Sequence, residues 1–475
     1  MGEGCLMIAP IGILTIAAAL FCLLLGNGAT VRILSVSAVL GSAAALLVGA
    51  TNIQPGHLVL GFLLVSVLAR PRDTAAMLAA LSAPRPGFWL AALTVYGVLS
   101  AYFAPRLFAG MTNIIPLGST AFADTGGTQP LGPVSSNLTQ SIYLVGGLLC
   151  FAMTSAVAST ERGFADVTAA LFAYCVANLV FALIDLGTAA TGTEGLLEFI
   201  RNAQYTLHVD DRVGGMKRIV GSFTEASSFA RSTLGVLGFT GTLWLCGIRP
   251  RWSGLLAAAS IAALVLSTSS TGLAGLVVMA AVLTVTALSL FGRLPDNRPA
   301  VLLLVLLPVV ALALLLFIAI IPSLSSTVAD YVDLVVLGKF ETSSGIERNS
   351  WNVIALQNIF DSFGLGVGLG TIRASSFAMA LLASVGVPGA LCYLAFLWGC
   401  LRSKGGRPGS FASAARLAAR NGCLGLLVGD LMVGPVIDQG IFFYMLAALA
   451  AAAPLRRPQR RPAFDPPVTL REVTP

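Results

Sequence analysis

A short polar segment between two long apolar stretches carries the residue types in this chain that are best suited to chemistry. Arg212, Lys217 and Arg218 lie within seven residues of one another, interleaved with glycines, in a protein of which only 10% of residues are charged. A planar guanidinium donates two hydrogen bonds to one phosphate and stays charged at any working pH. Glycine lets the backbone approach a ligand closely. The segment therefore predicts a phosphate-binding loop, with pairing of Arg212 to Asp210 or Asp211 as the alternative.

Glu225 follows this cluster at the start of the next apolar stretch. The run Ser222-Phe-Thr-Glu225 fits a capping box, in which the serine and the glutamate satisfy the first free amides of a helix. At the rim of a membrane the same carboxylate could remove the proton from a sugar hydroxyl. The two roles do not exclude each other, so Glu225 is predicted both as a cap and as a catalytic base.

Arg348 lies in a second segment of the same kind. Ser344-Gly-Ile-Glu347 fits another capping box, which places Arg348 in the first helical turn. Helix N-termini attract anions through their free amides and the helix dipole. Arg348 is therefore predicted to clamp a phosphate and to take part in catalysis; the alternative is a surface charge. From Trp351 to Asp361 apolar and polar residues alternate as in an amphipathic helix on a membrane surface.

The sequence offers no pattern for a cofactor or a metal, and none is expected. There are only two histidines, His57 and His208, and the eight cysteines form no CxxC or Cys/His spacing. No GxxxxGK[ST] motif appears. The glycine-rich run from Gly364 to Gly370 follows no predicted strand, so it is interpreted as a flexible entry into the next apolar stretch.

Composition indicates an all-α, polytopic membrane protein. Hydrophobic residues make up 56% of the chain and the mean hydropathy is +0.88. Apolar runs of about 20 residues cross the hydrocarbon layer as helices, which satisfy their own backbone hydrogen bonds. The gap between the last two runs is so short that the total is twelve or thirteen. The predicted spans are 6–25, 31–50, 57–69, 87–104, 137–158, 166–187, 226–247, 253–267, 272–291, 300–321, 375–400, 417–433 and 439–453.

Arginine placement predicts the orientation. Lys and Arg collect in short cytoplasmic connections, and here the short connections on one side hold most of them. The long loops at about 105–136, 188–225 and 322–374 are therefore expected to face outward. Residues 1–453 form a single transmembrane domain, followed by a disordered cytoplasmic tail at 454–475 near anionic lipid. These arginines account for the net charge of +7, so no nucleic-acid partner is expected.

Several of these motifs, in this order and spacing, resemble the O-antigen ligase/polymerase family, and most closely its exopolysaccharide polymerase branch. The resemblance covers about residues 200–400. It rests on the segments Arg218-Ile-Val-Gly-Ser-Phe-Thr-Glu-Ala-Ser-Ser-Phe-Ala230, Leu266-Ser-Thr-Ser-Ser-Thr-Gly272, Glu347-Arg-Asn-Ser-Trp351, Phe363-Gly-Leu-Gly-Val-Gly-Leu-Gly-Thr371 and Gly386-Val-Pro-Gly389.

The resemblance implies a metal-independent glycosyltransferase in a bacterial inner membrane, with its active site facing the periplasm. The donor would be a glycan on undecaprenyl pyrophosphate, the acceptor another lipid-linked repeat unit, and the partners membrane lipid with chain-length regulator and flippase proteins. Periplasmic arginines of the family hold the pyrophosphate, and Arg212, Arg218 and Arg348 match them.

Two alternatives stay open. Ligases of the family often carry a histidine shortly before the Gly-x-x-Gly element, where this chain reads Arg373-Ala-Ser-Ser-Phe377. The absence of that histidine favours polymerisation over transfer to another acceptor. A flippase or transporter without chemistry would instead place ionisable residues near the membrane midplane. The candidates for that role are Asp185 and Asp430, both expected near helix ends.

Overall fold

A computed structural model describes residues 6–48, 51–117, 127–204, 207–209, 212–213, 216–293, 298–321, 343–402 and 409–452. Most of them are helical. The predicted loop at 322–342 and the predicted tail lie outside these ranges. The α-helices are α1 (Pro10–Leu25), α2 (Asn27–Ser37), α3 (Pro55–Leu68), α4 (Pro71–Ala80), α5 (Pro86–Leu107), α6 (Ser136–Val157), α7 (Glu161–Thr191), α8 (Ala226–Leu245), α9 (Pro250–Leu266), α10 (Ser270–Leu290), α11 (Arg298–Ile320), α12 (Ser343–Asp361), α13 (Phe377–Arg402), α14 (Phe411–Val433) and α15 (Gly440–Ala451).

Within the described ranges, six helices are long and apolar enough to cross a membrane, namely α5, α6, α7, α10, α11 and α13. The shorter apolar helices are α1, α3, α9 and α15. In hydrocarbon every backbone amide and carbonyl must find a partner inside the protein, and a helix supplies these partners within its own segment. The structure thus confirms a mostly helical chain and supports the membrane-embedded architecture that the composition predicts.

The predicted span at 31–50 is wrong. Helix α2 ends at Ser37, and the chain then turns into a small antiparallel sheet of β1 (Leu6–Ile8), β2 (Leu46–Val48) and β3 (Thr51–Ile53). Tertiary partners replace the helical hydrogen bonds: the Ser42 hydroxyl donates to the Ser222 carbonyl at 3.0 Å, and the Ala44 amide donates to the Asn202 side chain at 2.8 Å. Hydropathy alone does not reveal these distant acceptors.

Other short elements lie in the predicted connections. Helix α4 follows α3 directly, because Pro71 fits the first turn of a helix. Two-residue strands pair in the long loops: β4 (Asn113–Ile114) with β5 (Gln129–Pro130), and β6 (Arg212–Val213) with β7 (Met216–Lys217). The prediction of an all-α fold therefore holds for the helical body and needs amendment for the loops.

Helix α8 forms the centre of the described bundle and contacts α9, α10 and α14. Nearly all of its side chains are buried. Glycines allow the close approach of α14: a Cβ at Gly425 would lie 2.3 Å from the Leu234 carbonyl oxygen, and a Cβ at Gly238 would lie 2.2 Å from the Asn421 carbonyl oxygen. Small residues are the usual means by which membrane helices pack tightly. This packing fixes the start of α8, where Glu225 lies.

Helix α13 is broken at Gly386, whose φ of 61° and ψ of −167° are not helical. The segment Gly364–Gly370, the glycine strap, fills the break. Its Val367 amide donates to the Ala383 carbonyl at 2.8 Å, and the Val387 amide donates back to the Gly364 carbonyl at 2.8 Å. The strap is thus a hydrogen-bonded part of the fold, buried from Gly366 to Gly370, and it sets the position of the residues that follow it.

Candidate functional site

The predicted outer loops meet at one end of the bundle, here called the loop end, where α7 ends and α8 begins. The Arg373 amide donates to the Ile115 carbonyl at 2.8 Å, and the Asn358 side chain donates to the Asn113 carbonyl at 2.8 Å. These bonds join the segment after the glycine strap, α12 and the loop at 105–136. Segments far apart in sequence therefore form one surface.

Glu225 is the residue before α8, with an extended backbone, and its side chain does not cap the helix. The predicted Ser222–Glu225 capping box is wrong, because the helix begins at Ala226 and the Ser222 hydroxyl donates instead to the Val39 carbonyl at 2.7 Å. The Glu225 carboxylate accepts a short hydrogen bond from the Ser227 hydroxyl through Oε1. Its other oxygen is thus available at the loop end.

Arg348 faces that other oxygen. Its Nη2 lies 3.9 Å from Glu225 Oε2, and the two side chains are 29% and 31% exposed. Helix α12 begins at Ser343, and the side chain of Ser344, on which the predicted Ser344–Glu347 box depends, lies outside the part of the chain that the structure describes. The helix predicted from Trp351 to Asp361 is present, as part of α12. Arg348 and Glu225 form a half-exposed pair of opposite charge, suited to holding an anion and accepting a proton side by side.

Arg373 is a second arginine of this surface, and the sequence did not single it out. Its guanidinium lies 4.0 Å from the centre of the Trp351 ring, a cation–π contact. Partial burial lowers the pKa of Arg373; nearby Arg348 lowers it further, whereas Glu347 and Glu225 oppose the shift. All these charges therefore lie within electrostatic reach of one another. The only sequence signal was an arginine three residues after the glycine strap.

The cations of the predicted phosphate-binding loop, Arg212, Lys217 and Arg218, lie in and just after a hairpin that Asp185 contacts. Lys217 lies in the β6–β7 hairpin, with its ammonium 3.2 Å from Asp185 Oδ1 and 3.0 Å from Glu194 Oε1. The backbone of Arg212 lies opposite that of Lys217 in the hairpin, and Arg212 is exposed. Arg218 is half-buried just beyond it. Asp210 and Asp211 lie outside the described residues, so the alternative pairing of Arg212 does too.

Asp185 anchors this hairpin segment to the end of α7. Its Oδ2 accepts the amides of Val220 at 2.8 Å and Gly221 at 2.9 Å, and its Oδ1 accepts Nη2 of Arg201 at 2.7 Å. The carboxylate is fully buried and saturated with donors. It holds the backbone at Gly221, four residues before Glu225, and so helps to position Glu225.

Asp430 is the other acidic candidate within the bundle. Its carboxylate binds Arg231 of α8 through two hydrogen bonds and also accepts Nε2 of Gln439 at 3.1 Å. Both Asp185 and Asp430 lie near helix ends, as expected, and each is paired with an arginine. In the part of the chain that the structure describes, no group of three or more His, Cys, Asp or Glu residues could hold a metal ion.

A scan against protein-family models finds no matching family, and a search of curated proteins finds no match for this chain.

Proposed function

We propose that this protein is a polysaccharide polymerase of the bacterial inner membrane, which joins repeat units carried on undecaprenyl pyrophosphate at the periplasmic face. The observation that carries the proposal is the convergence of Arg348, Arg373 and Glu225 from distant segments onto one half-exposed surface. Two guanidinium groups beside one carboxylate match a reaction in which a pyrophosphate leaves and a hydroxyl loses its proton.

The residues divide the chemistry between them. The acceptor hydroxyl attacks the anomeric carbon of the donor sugar, forming the new glycosidic bond while the bond from that carbon to the pyrophosphate oxygen breaks. Glu225 takes the hydroxyl proton as general base. Arg348 and Arg373 stabilise the charge that develops on the departing lipid pyrophosphate, an electrostatic contribution that is often the largest in such sites. Arg212 and Arg218 are proposed to extend the phosphate-binding surface.

The membrane setting and the energetics agree with this assignment. The pyrophosphate linkage supplies the driving force, so no nucleotide or cofactor is required. Apolar helices around the loop end would hold the polyprenyl chain in the bilayer while its head group reaches the charged surface. A flippase is less favoured, because Asp185 and Asp430 are both held by arginines near helix ends. Ligation of the same donor to a different acceptor uses the same groups and remains the alternative reaction.

Reconstitution tests the proposal. Purified full-length protein and its Arg348→Ala variant are incubated with lipid-linked repeat units, and product length is read on a gel. We expect a ladder of long products with the wild type and a loss of about 10²–10³-fold in rate with the variant, the usual effect of removing one such donor.

Arg106→Ala is the matched control, because Arg106 is exposed at the same end of the bundle and stacks on Tyr102. It should leave the ladder unchanged. Transfer of one glycan to another acceptor without a ladder would favour the ligase. Movement of the lipid-linked unit across vesicles without a new glycosidic bond would favour the flippase, and an intact ladder from Arg348→Ala would remove the proposed clamp.

A further inference from the structure

Two arginines one turn apart on α14, Arg416 and Arg420, lie at the end of the bundle opposite the loop end. The start of α14 is beside the start of α7, since the rings of Phe411 and Phe164 meet edge to face at 6.3 Å. Helix α7 reaches the loop end only at its other terminus, where Asp185 lies. The pair is therefore remote from Glu225 and Arg348, and the proposed reaction does not use it.

Arg416 is buried and Arg420 half-exposed, and neither has a counter-ion within the described residues. Arg416 is only 4% exposed, and its Nε donates a long hydrogen bond of 3.3 Å to the Ala412 carbonyl. Within the described residues, Nη1 of Arg416 and Nε of Arg420 are both buried and have no hydrogen-bond partner. The ion pairs described in the structure include neither residue.

Such an arrangement is costly by itself. A buried charge is normally paired or hydrogen-bonded, and like charges four residues apart on a helix repel each other. Both costs fall when an anion bridges the two guanidinium groups. A phosphate suits them best, because each planar guanidinium can donate two parallel hydrogen bonds to its oxygens.

The surroundings indicate that this phosphate belongs to a lipid. Trp398 lies in the last turns of the preceding helix, α13, and is 62% exposed; the Arg402 guanidinium lies 4.9 Å from the centre of its ring. Exposed tryptophan is typical of the head-group level of a membrane. Lys404 and Arg407 follow in the sequence, and basic clusters next to a spanning helix attract anionic lipids of the inner leaflet.

We infer that Arg416 and Arg420 bind the phosphate of an anionic membrane lipid at the end of the bundle opposite the proposed active site. Arg416 forms the inner wall of the site and half-exposed Arg420 its entrance. Bound lipid supplies the missing counter-charge and holds α13 and α14 at that leaflet. The inference does not depend on the proposed glycosyl transfer.

Thermal unfolding of the purified full-length protein in detergent tests the site. Phosphatidylglycerol, phosphatidylcholine and inorganic phosphate are titrated at matched concentrations, and native mass spectrometry counts the lipids retained. Phosphatidylglycerol should raise the apparent Tm of the wild type, whereas phosphatidylcholine and inorganic phosphate should not. Arg420→Gln should weaken the apparent affinity for phosphatidylglycerol by at least about tenfold, the cost of one charged hydrogen bond.

Arg416→Gln removes the buried charge and should abolish the response to phosphatidylglycerol. If that variant does not fold, Arg420→Gln decides alone. Arg293→Gln is the control, since Arg293 is exposed after α10, and it should respond as the wild type does. The proposed lipid site would be overturned if phosphatidylcholine or inorganic phosphate raised the apparent Tm as much as phosphatidylglycerol does. It would also be overturned if Arg420→Gln responded to phosphatidylglycerol as the wild type does.

Discussion

The guanidinium of Arg348 lies 3.9 Å from the carboxylate of Glu225, with both side chains about 30% exposed. This separation is too long for a direct hydrogen bond. It leaves room for an oxygen of a ligand or of water to lie between the two groups. The pair joins the start of α8 to α12 at the loop end, and the proposed chemistry is centred on it.

Glu225→Gln should remove catalysis while leaving the fold intact. Glutamine keeps the size of the side chain and can still accept from Ser227, but it cannot take a proton. We expect the initial rate of polymer formation to fall by about 10²–10⁴-fold, the usual contribution of a general base, with no change in apparent Tm. Glu198→Gln, an exposed site on the 3₁₀ helix Glu194–Ile200, is the control. Equal activity in the two variants would argue against a base at Glu225.

Arg373→Gln tests the second cation. It removes a charge beside Arg348 but keeps a polar side chain near Trp351, so we expect a loss of about 10-fold or more in kcat/KM for the lipid-linked donor. Arg106→Gln is matched, because the Arg106 guanidinium also lies 4.0 Å from an aromatic ring centre. A similar small effect in both variants would show that Arg373 contributes only its ring contact.

Asp185→Asn should destabilise the protein. The substitution leaves Arg201 buried, with 7% of its side chain exposed, without its charged partner. Removing one member of a buried ion pair costs about 3–5 kcal/mol, which should appear as a lower midpoint of thermal unfolding in detergent. Glu198→Gln again gives the reference for a surface change. A midpoint within error of the wild type would mean that the backbone amides of Val220 and Gly221 hold the loop without the ion pair.

The carboxyl of Asp438 should make the stability of the protein depend on pH. It lies between α14 and α15, and burial raises the pKa of its carboxyl from 3.8 to about 7; Asp430 adds to this shift, while the Gly440 amide and Arg231 oppose it. The folded protein therefore binds this proton more tightly than the unfolded chain does, so stability is lost as pH rises between these two values. We expect a lower apparent Tm at pH 8 than at pH 5.5.

Asp438→Asn mimics the protonated form and should reduce that difference in Tm. The measurement is thermal unfolding of both proteins across this pH range in the same detergent. Parallel curves for wild type and variant would assign the pH dependence to other groups.

Gly386→Ala should disrupt the loop end. A Cβ at this position would lie 2.2 Å from the Gly364 carbonyl oxygen, and the backbone has a φ of 61°. The break in α13 and the glycine strap cannot both keep their positions, so we expect a low yield of monodisperse protein and a clear fall in apparent Tm. Gly61→Ala in α3 is the control: a Cβ there meets nothing within 4 Å, and alanine favours a helix by up to about 1 kcal/mol.

Much of the helical body could be predicted, because long apolar runs have few ways to satisfy their backbone in hydrocarbon. The start of α8 near residue 226 and the amphipathic helix after Ser343 follow from local pattern alone. The predicted membrane span at 31–50 was wrong because the hydrogen-bond partners of Ser42 and Ala44 come from residues 200–222. The Ser222–Glu225 capping box was wrong because a motif of four residues fits several helix starts equally well.

By itself, the sequence indicated a helical membrane protein with polar loops, and it singled out Glu225 and Arg348, because these follow from composition and short-range pattern. Only the tertiary structure decided which cations meet. Arg373 lies near Arg348 and Glu225. Lys217 instead forms ion pairs with Asp185 and Glu194. The reason is physical: charges interact through space over a few ångströms, and the chain brings distant segments to that range only after its helices have packed.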